Sequence, residues 1–230
     1  MALDTTIGGP SSESYASIET INAYATKSVE PAYTVRGSEA LARLMEYEGI
    51  VTVLDVGSGA GEHAKIMKDA GKAVLTNSYE PPADIVGDFC TALIPGNFDA
   101  IWASHVLEHQ PDAGRFLRRC FQLLRDDGVL AITVPPAKPE IVGGHLTMWN
   151  AGLLLYNLIL AGFDCSEARV SPVYSSGPGY PPYNISVIVR KRKAELPALR
   201  MDKGDIEYLA RFFPLPVEHG FDGNLPGFGW

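Results

Sequence analysis

From residue 51 onward, apolar and polar positions fall into short runs that switch between two periods. VTVLDVG is a compact apolar run closed by an aspartate and a glycine, the pattern of a strand buried on both faces. Residues 62–70 repeat at helical spacing and KAVLTNS returns to a strand, so the three make a βαβ unit. ADIVGD and FDAIWAS read as further strands. A helix starting near Asp112 carries Phe116, Leu117, Cys120, Leu123 and Leu124 on one face, with Gly128 as its predicted stop. After the strand VLAITVP, Asn150 caps a helix whose Leu153, Leu154, Leu158 and Ala161 share a face, and Gly162 ends it. Two last strands, about Ser166–Tyr174 and Ile185–Arg190, are joined by SSGPGYPPYN. Upstream, Ser38–Tyr47 reads as a helix with Leu41, Leu44 and Met45 on one side. Strands alternating with helices predict an α/β fold with a parallel sheet covered on both faces.

A chain of 230 residues buries one good-sized core. The expected division is a lead-in at 1–36, rich in Ser, Thr and Gly, a domain at 37–193, and a Pro- and aromatic-rich extension at 194–230. That extension is too apolar for a free tail, so it should pack on the domain or against a second copy in a homodimer. The net charge of −8 argues against nucleic acid as the partner, and Arg190 to Lys193 reads as the solvated end of a strand. Cys90, Cys120 and Cys165 are scattered, with no disulfide framework, which fits a reducing cytoplasm. The N-terminus lacks the order of a signal peptide, and the most apolar window, Ala151 to Phe163, is too short to span a bilayer. A soluble, cytoplasmic protein is expected.

The turn after the first strand, Gly57-Ser58-Gly59-Ala60-Gly61, should sit at the carboxyl edge of the sheet, where ligands of open α/β sheets bind. Its spacing is G-x-G-x-G, not the G-x-G-x-x-G of a dinucleotide site, and no Gly-Lys-Ser/Thr follows as in a P-loop. Residues 53–62, VLDVGSGAGE, resemble the first motif of class I S-adenosylmethionine-dependent methyltransferases. FDAIWASHVLEH, residues 98–109, is similar to the family's fourth-strand segment, and Leu124 to Pro135 to the segment leading into the fifth strand. The resemblance spans about residues 50–190 and implies a Rossmann-like, doubly wound, mostly parallel seven-stranded sheet whose last strand is antiparallel. It also implies S-adenosylmethionine as cofactor and S-adenosylhomocysteine as product. Asp55, Gly57, Ser58, Gly59 and Gly61 would cradle the methionine portion and ribose. Asp88 and Phe89 would meet the adenine, and Ser104 and His105 would lie beside the methionine. The carboxylate that the family places at the end of strand two falls near Ser78, with Glu80 two residues on as a substitute.

Methyl transfer from a sulfonium depends mostly on aligning the reactants, but an alcohol acceptor must shed a proton, and a placed His can supply about 10²–10⁴-fold. His145, in GGHLTMW after the fifth strand, is the first candidate base and His109 the second; Glu108 anchors its loop. His105 and His109 stand four apart like paired metal ligands, yet no third ligand falls at useful spacing, so no metal is expected. Tyr180 and Tyr183, in YPPY, should hang over the acceptor side and can stack on a ring or sugar; Trp149 is a third acceptor contact. The expected activity is methylation of a small-molecule or glycan acceptor, with a sugar hydroxyl favoured. The alternatives are a non-catalytic module that binds the same cofactor and an NAD-dependent oxidoreductase.

Overall fold

The computed structural model describes residues 36–175 and 182–230; nearly all of the predicted lead-in, and Tyr180, lie outside them. Seven strands form one sheet: β1 (Thr52–Val56), β2 (Ala73–Ser78), β3 (Ile85–Val86), β4 (Phe98–Ser104), β5 (Leu124–Val134), β6 (Arg169–Ser175) and β7 (Pro182–Arg190). Their order across the sheet is β3-β2-β1-β4-β5-β7-β6. The first five run parallel, and β7 slots antiparallel between β5 and β6. The seven-stranded, mostly parallel sheet with its antiparallel last strand is as expected. Helices α1 (Ser38–Met45), α2 (Glu62–Asp69), α3 (Ala113–Leu123) and α4 (Ala151–Leu160) cover it, and a short α5 (Asp205–Leu209) follows.

The two-residue period of the strands divides the interior into two cores. Leu54 and Val56 of β1, Ile101 and Ala103 of β4, and Leu130, Ile132 and Val134 of β5 face the α3–α4 layer. Val53, Ala100, Trp102, Val129 and Ala131 point the other way, toward α1 and α2. Asp55 shares the second direction, so its carboxylate lies under α2. Strand order reverses between β1 and β4, and the loops leaving those two strands open there.

Two local expectations are corrected. Helix α3 ends at Leu123 and β5 begins at Leu124, well ahead of Gly128. Gly128 lies in the irregular start of β5, where an added Cβ would come within 2.9 Å of the Arg125 carbonyl oxygen and 3.1 Å of those of Phe98 and Asp99. Close backbone approach, not helix termination, demands the glycine. In α4, Leu153 is 44% exposed, while Ala151, Leu154, Leu155, Leu158 and Ile159 make the buried stripe. Leu153 lies one turn before Asn157, on the polar side, and accepts a backbone-directed bond from the Asn157 amide. The Asn150 cap is as expected, its side chain accepting from the Leu153 N–H.

The chain after 193 packs on the domain. Leu209, Phe212, Phe213, Val217 and Leu225 join the α3–α4 core, and the Gly223 carbonyl accepts from the Gly152 N–H at 2.7 Å. The last residue, Trp230, reaches the opposite layer and donates its indole N–H to Glu39 of α1. Among the described residues no helix is long and apolar enough to cross a membrane.

Candidate active site

The glycine turn is held by its backbone. The Asn77 carbonyl at the end of β2 accepts from the N–H groups of Gly57 and Ser58 at 2.8 and 3.0 Å. Gly57, Gly59 and Gly61 all take the left-handed conformation, with φ of 71°, 52° and 83°. Their reasons differ. A Cβ on Gly57 would meet a Val106 methyl at 2.3 Å, so this glycine lets the turn lie against the segment leaving β4. A Cβ on Gly59 or Gly61 would meet nothing within 4 Å, so these two leave bare main chain facing open space.

Beneath the turn, Asp55 is 1% exposed, and its Oδ2 has no hydrogen-bond partner among the described residues. Burial pushes its carboxyl up to about 7, partly offset by the Ala64 backbone N–H and the Lys68 ammonium. A buried acid with an unclaimed oxygen can take a donor from an ammonium or hydroxyl. Beside the turn, a cleft of about 390 Å³ is lined by Gly59, Ala60, Ser78, Tyr79, Glu80 and two prolines. Glu80 thus shares a wall with Gly59. Asp88 braces its own loop, accepting from the Cys90 N–H and the Thr91 hydroxyl, and partial burial together with its charge lifts the Tyr79 phenol. Phe89 is 3% exposed and tilts against Phe116 in the core. These features fit an adenosyl donor carrying an ammonium group.

The other half is assembled from three separate segments. His105, at φ 55°, turns out of β4; its Nε2 lies 2.8 Å from Asn184 Oδ1 of β7, and its ring stacks on Tyr183 at 5.3 Å. Ser104 shares a hydroxyl contact with Thr133 at 2.9 Å. A 3₁₀ turn, Leu107–His109, follows. Its Glu108 carbonyl accepts from Leu146 N–H at 2.7 Å and Thr147 N–H at 3.2 Å, which hangs the loop after β5 on the segment after β4. That bond brings His109 and His145 together, edge to face at 5.0 Å. His109 Nδ1 lies 2.7 Å from the Gly144 carbonyl, which can only accept, so Nδ1 is the donor there and Nε2 points toward Glu108 Oε1, 3.9 Å away.

His145, Thr147, Met148, Lys138 and Tyr183 line a cavity of about 30 Å³ beside this cluster. Trp149 is 3% exposed, with its indole N–H donating to Thr147. Arg36 and Lys138 lie over the Tyr183 ring at 4.8 and 5.2 Å. His63 is bonded to the Arg36 carbonyl and edge-on to Trp102; burial holds it near 4. Sequence reasoning missed Asn184 and Arg36. Neither stands in a motif, and only the sheet order puts β7 beside β5.

The family model described as "Methyltransferase domain" matches residues 19–158, more than half of the chain. Among curated proteins, 27-O-demethylrifamycin SV methyltransferase of Amycolatopsis mediterranei is 28% identical over 119 residues, 43% of this chain and 44% of that protein. Ubiquinone biosynthesis O-methyltransferase of Caulobacter vibrioides is 31% identical over 104 residues, 37% of this chain and 41% of that protein. The chain therefore matches less than half the length of each. In fold it is similar to the Burkholderia thailandensis 1,6-didemethyltoxoflavin-N1-methyltransferase, solved with 1,6-didemethyltoxoflavin and S-adenosylhomocysteine. That likeness has a TM-score of 0.57 at 21% identity, covering 83% of this chain and 94% of the other.

Proposed function

This chain belongs to the methyltransferase-domain family, within the class I S-adenosylmethionine-dependent methyltransferases, and from that premise we propose that it methylates a hydroxyl oxygen of a small-molecule acceptor. A sugar or other polyhydroxylated ring is the favoured acceptor, because Lys138 and Tyr183 line the cavity with Arg36 beside them, donors that several hydroxyls can use. The donor, when bound, supplies an electrophilic methyl on a sulfonium. The open main chain at Gly59 and Gly61 and the free oxygen of Asp55 hold it, with Ser58 closing the turn, Glu80 toward the ribose hydroxyls and Asp88 and Phe89 shaping the adenine end. Ser104 and His105 bridge the two halves.

One observation carries the preference for oxygen: His145 lines the acceptor cavity, with His109, held through Nδ1 by the Gly144 carbonyl, edge-on beside it. A histidine at that wall helps an alcohol shed its proton, which a thiol or activated carbon needs far less. A cavity of about 30 Å³ admits no more than a water-sized group, so the exposed Ile141 and Met148 in its wall must move for a ring to enter.

The test has two stages. Calorimetry with S-adenosylmethionine and S-adenosylhomocysteine should show both binding. Incubation with polyol, phenol, amine and thiol acceptors, read by mass and by the position of the added methyl, should give O-methyl products. Methylation at nitrogen or carbon alone overturns the oxygen reading. Tight donor binding with no methyl loss to any acceptor supports the non-catalytic binding module instead.

A further inference from the structure

Glu108, His109 and His145 each bring one ligand atom to a common point, a carboxylate oxygen and two imidazole nitrogens all within 4.8 Å of one another. Orientation makes this more than proximity. With His109 Nδ1–H given to the Gly144 carbonyl, Nε2 faces Glu108 Oε1 at 3.9 Å, too long for a direct hydrogen bond and near the separation of two ligands on one ion. A backbone carbonyl on the far nitrogen is also how proteins orient an imidazole toward a metal.

Glu108 adds an independent sign. Its side chain is 1% exposed, and Oε2 is buried without a hydrogen-bond partner among the described residues. Removing a carboxylate from water costs several kcal/mol unless a cation or several donors replace the solvent. The closest side-chain nitrogen is His105 Nδ1, 3.3 Å from Oε1, and that atom too makes no hydrogen bond. The pocket thus holds more acceptor capacity than the chain satisfies.

We propose that Glu108, His109 and His145 form a binding site for a divalent transition-metal ion of the Zn²⁺ class at the mouth of the acceptor cavity. Two imidazoles and one carboxylate suit Zn²⁺, Co²⁺ or Fe²⁺, whereas Mg²⁺ and Ca²⁺ prefer shells made of oxygen. Metal–ligand bonds of about 2.0–2.2 Å place neighbouring donor atoms roughly 3–3.5 Å apart, so the three must close by about 1 Å. His109 can move that far, because its side chain is 43% exposed and its backbone lies in a single 3₁₀ turn. Three protein ligands leave coordination positions open, as in catalytic rather than structural zinc sites. This deepens the acceptor-side reading and rests on it for its purpose only: with the ion bound, the two histidines would assist the acceptor through it, as ligands, by lowering the pKa of the hydroxyl, whose proton would pass to solvent.

The full chain, stripped of metal with a chelator and returned to buffer, is titrated with Zn²⁺ alone and Mg²⁺ alone by calorimetry, and with Co²⁺ by visible absorption. One equivalent of Zn²⁺ should bind, Mg²⁺ should not, and Co²⁺ should give the d–d bands of a low-coordinate nitrogen–oxygen site. His145→Ala and His109→Ala should each weaken Zn²⁺ binding at least about tenfold, while His219→Ala, on the exposed tail, leaves it unchanged. Glu108→Gln tests the carboxylate, and the two histidine variants keep the test valid if that buried change unfolds the chain. Absence of Zn²⁺ binding, or binding that survives the His109→Ala/His145→Ala pair, overturns the site. S-adenosylmethionine titrated into the same stripped protein separates the two ideas: donor binding without Zn²⁺ binding leaves the methyltransferase reading intact and sinks the metal.

Discussion

The two halves of the site are built in opposite ways. The donor half is centred on one continuous stretch, Asp55 to Gly61, whose chemistry is mostly main chain: two bare glycines, amides tied to Asn77, and a single buried acid. The acceptor half is side chains from three segments, 105–109, 142–148 and 183–184, joined by the Glu108 carbonyl and by Asn184. A cradle made of main chain depends little on which side chains surround it. A side-chain cluster on loops can change its acceptor by changing a few residues while the sheet stays the same.

Gly59→Asp strikes only the donor half. It should abolish measurable S-adenosylmethionine binding in calorimetry while circular dichroism is kept and the melting temperature falls only modestly, since the added side chain meets open space and the left-handed φ costs an aspartate about 1 kcal/mol. An unchanged dissociation constant would remove the cradle from consideration. His145→Ala strikes only the acceptor half. Turnover should drop by about 10²-fold with donor affinity within twofold, and a parallel loss of both would show that the halves are not separable.

Gly57 is where the halves touch, because its missing Cβ leaves room for Val106. Gly57→Ala should cost about 1–3 kcal/mol in denaturant unfolding, from the left-handed φ and the displaced valine together. A neutral result would mean that the turn and the segment after β4 are less tightly packed than the structure has them.

Asp55 makes the donor half sensitive to pH. Its carboxyl is raised to about 7, so at lower pH the free protein carries it protonated, and a cationic donor must first drive a proton off. Donor affinity should rise with pH through about 7 and level off above it, falling about tenfold per unit below, and Asp55→Asn should flatten the profile. The smallest expected effect is on stability in acid. His63 is held near 4 by burial, whereas an unfolded histidine protonates near about 6.5. Below about 6.5 the unfolded chain takes up a proton that the folded chain refuses, so stability should decline as pH falls toward 4. His63→Gln should lessen that decline in melts recorded across the same range.

Much of this was readable along the chain, for a definite reason. Strand and helix periods, the Asn150 cap and the glycine spacing are local signals, and the donor half needs only residues that are neighbours in sequence. The misplacements were local as well: Gly128 looked like a helix stop because its real constraint, the carbonyls of Phe98 and Asp99, lies about thirty residues upstream. The lack of a third ligand beside the ligand-spaced pair His105 and His109 was likewise a statement about sequence neighbours only. At φ 55° His105 swings toward Asn184, while His145, 36 residues past His109, moves into the place beside it.

The primary structure was enough to specify a doubly wound sheet, a reversal of strand order and a glycine turn at the edge of β1, because alternation and turn chemistry act over a few residues. Only folding could put β7 between β5 and β6, pack residues 194–230 over α4, and hang the His145 loop from Glu108. Those contacts join positions far apart in the chain. Their energies come from burial and from hydrogen bonds that do not exist until the sheet is assembled.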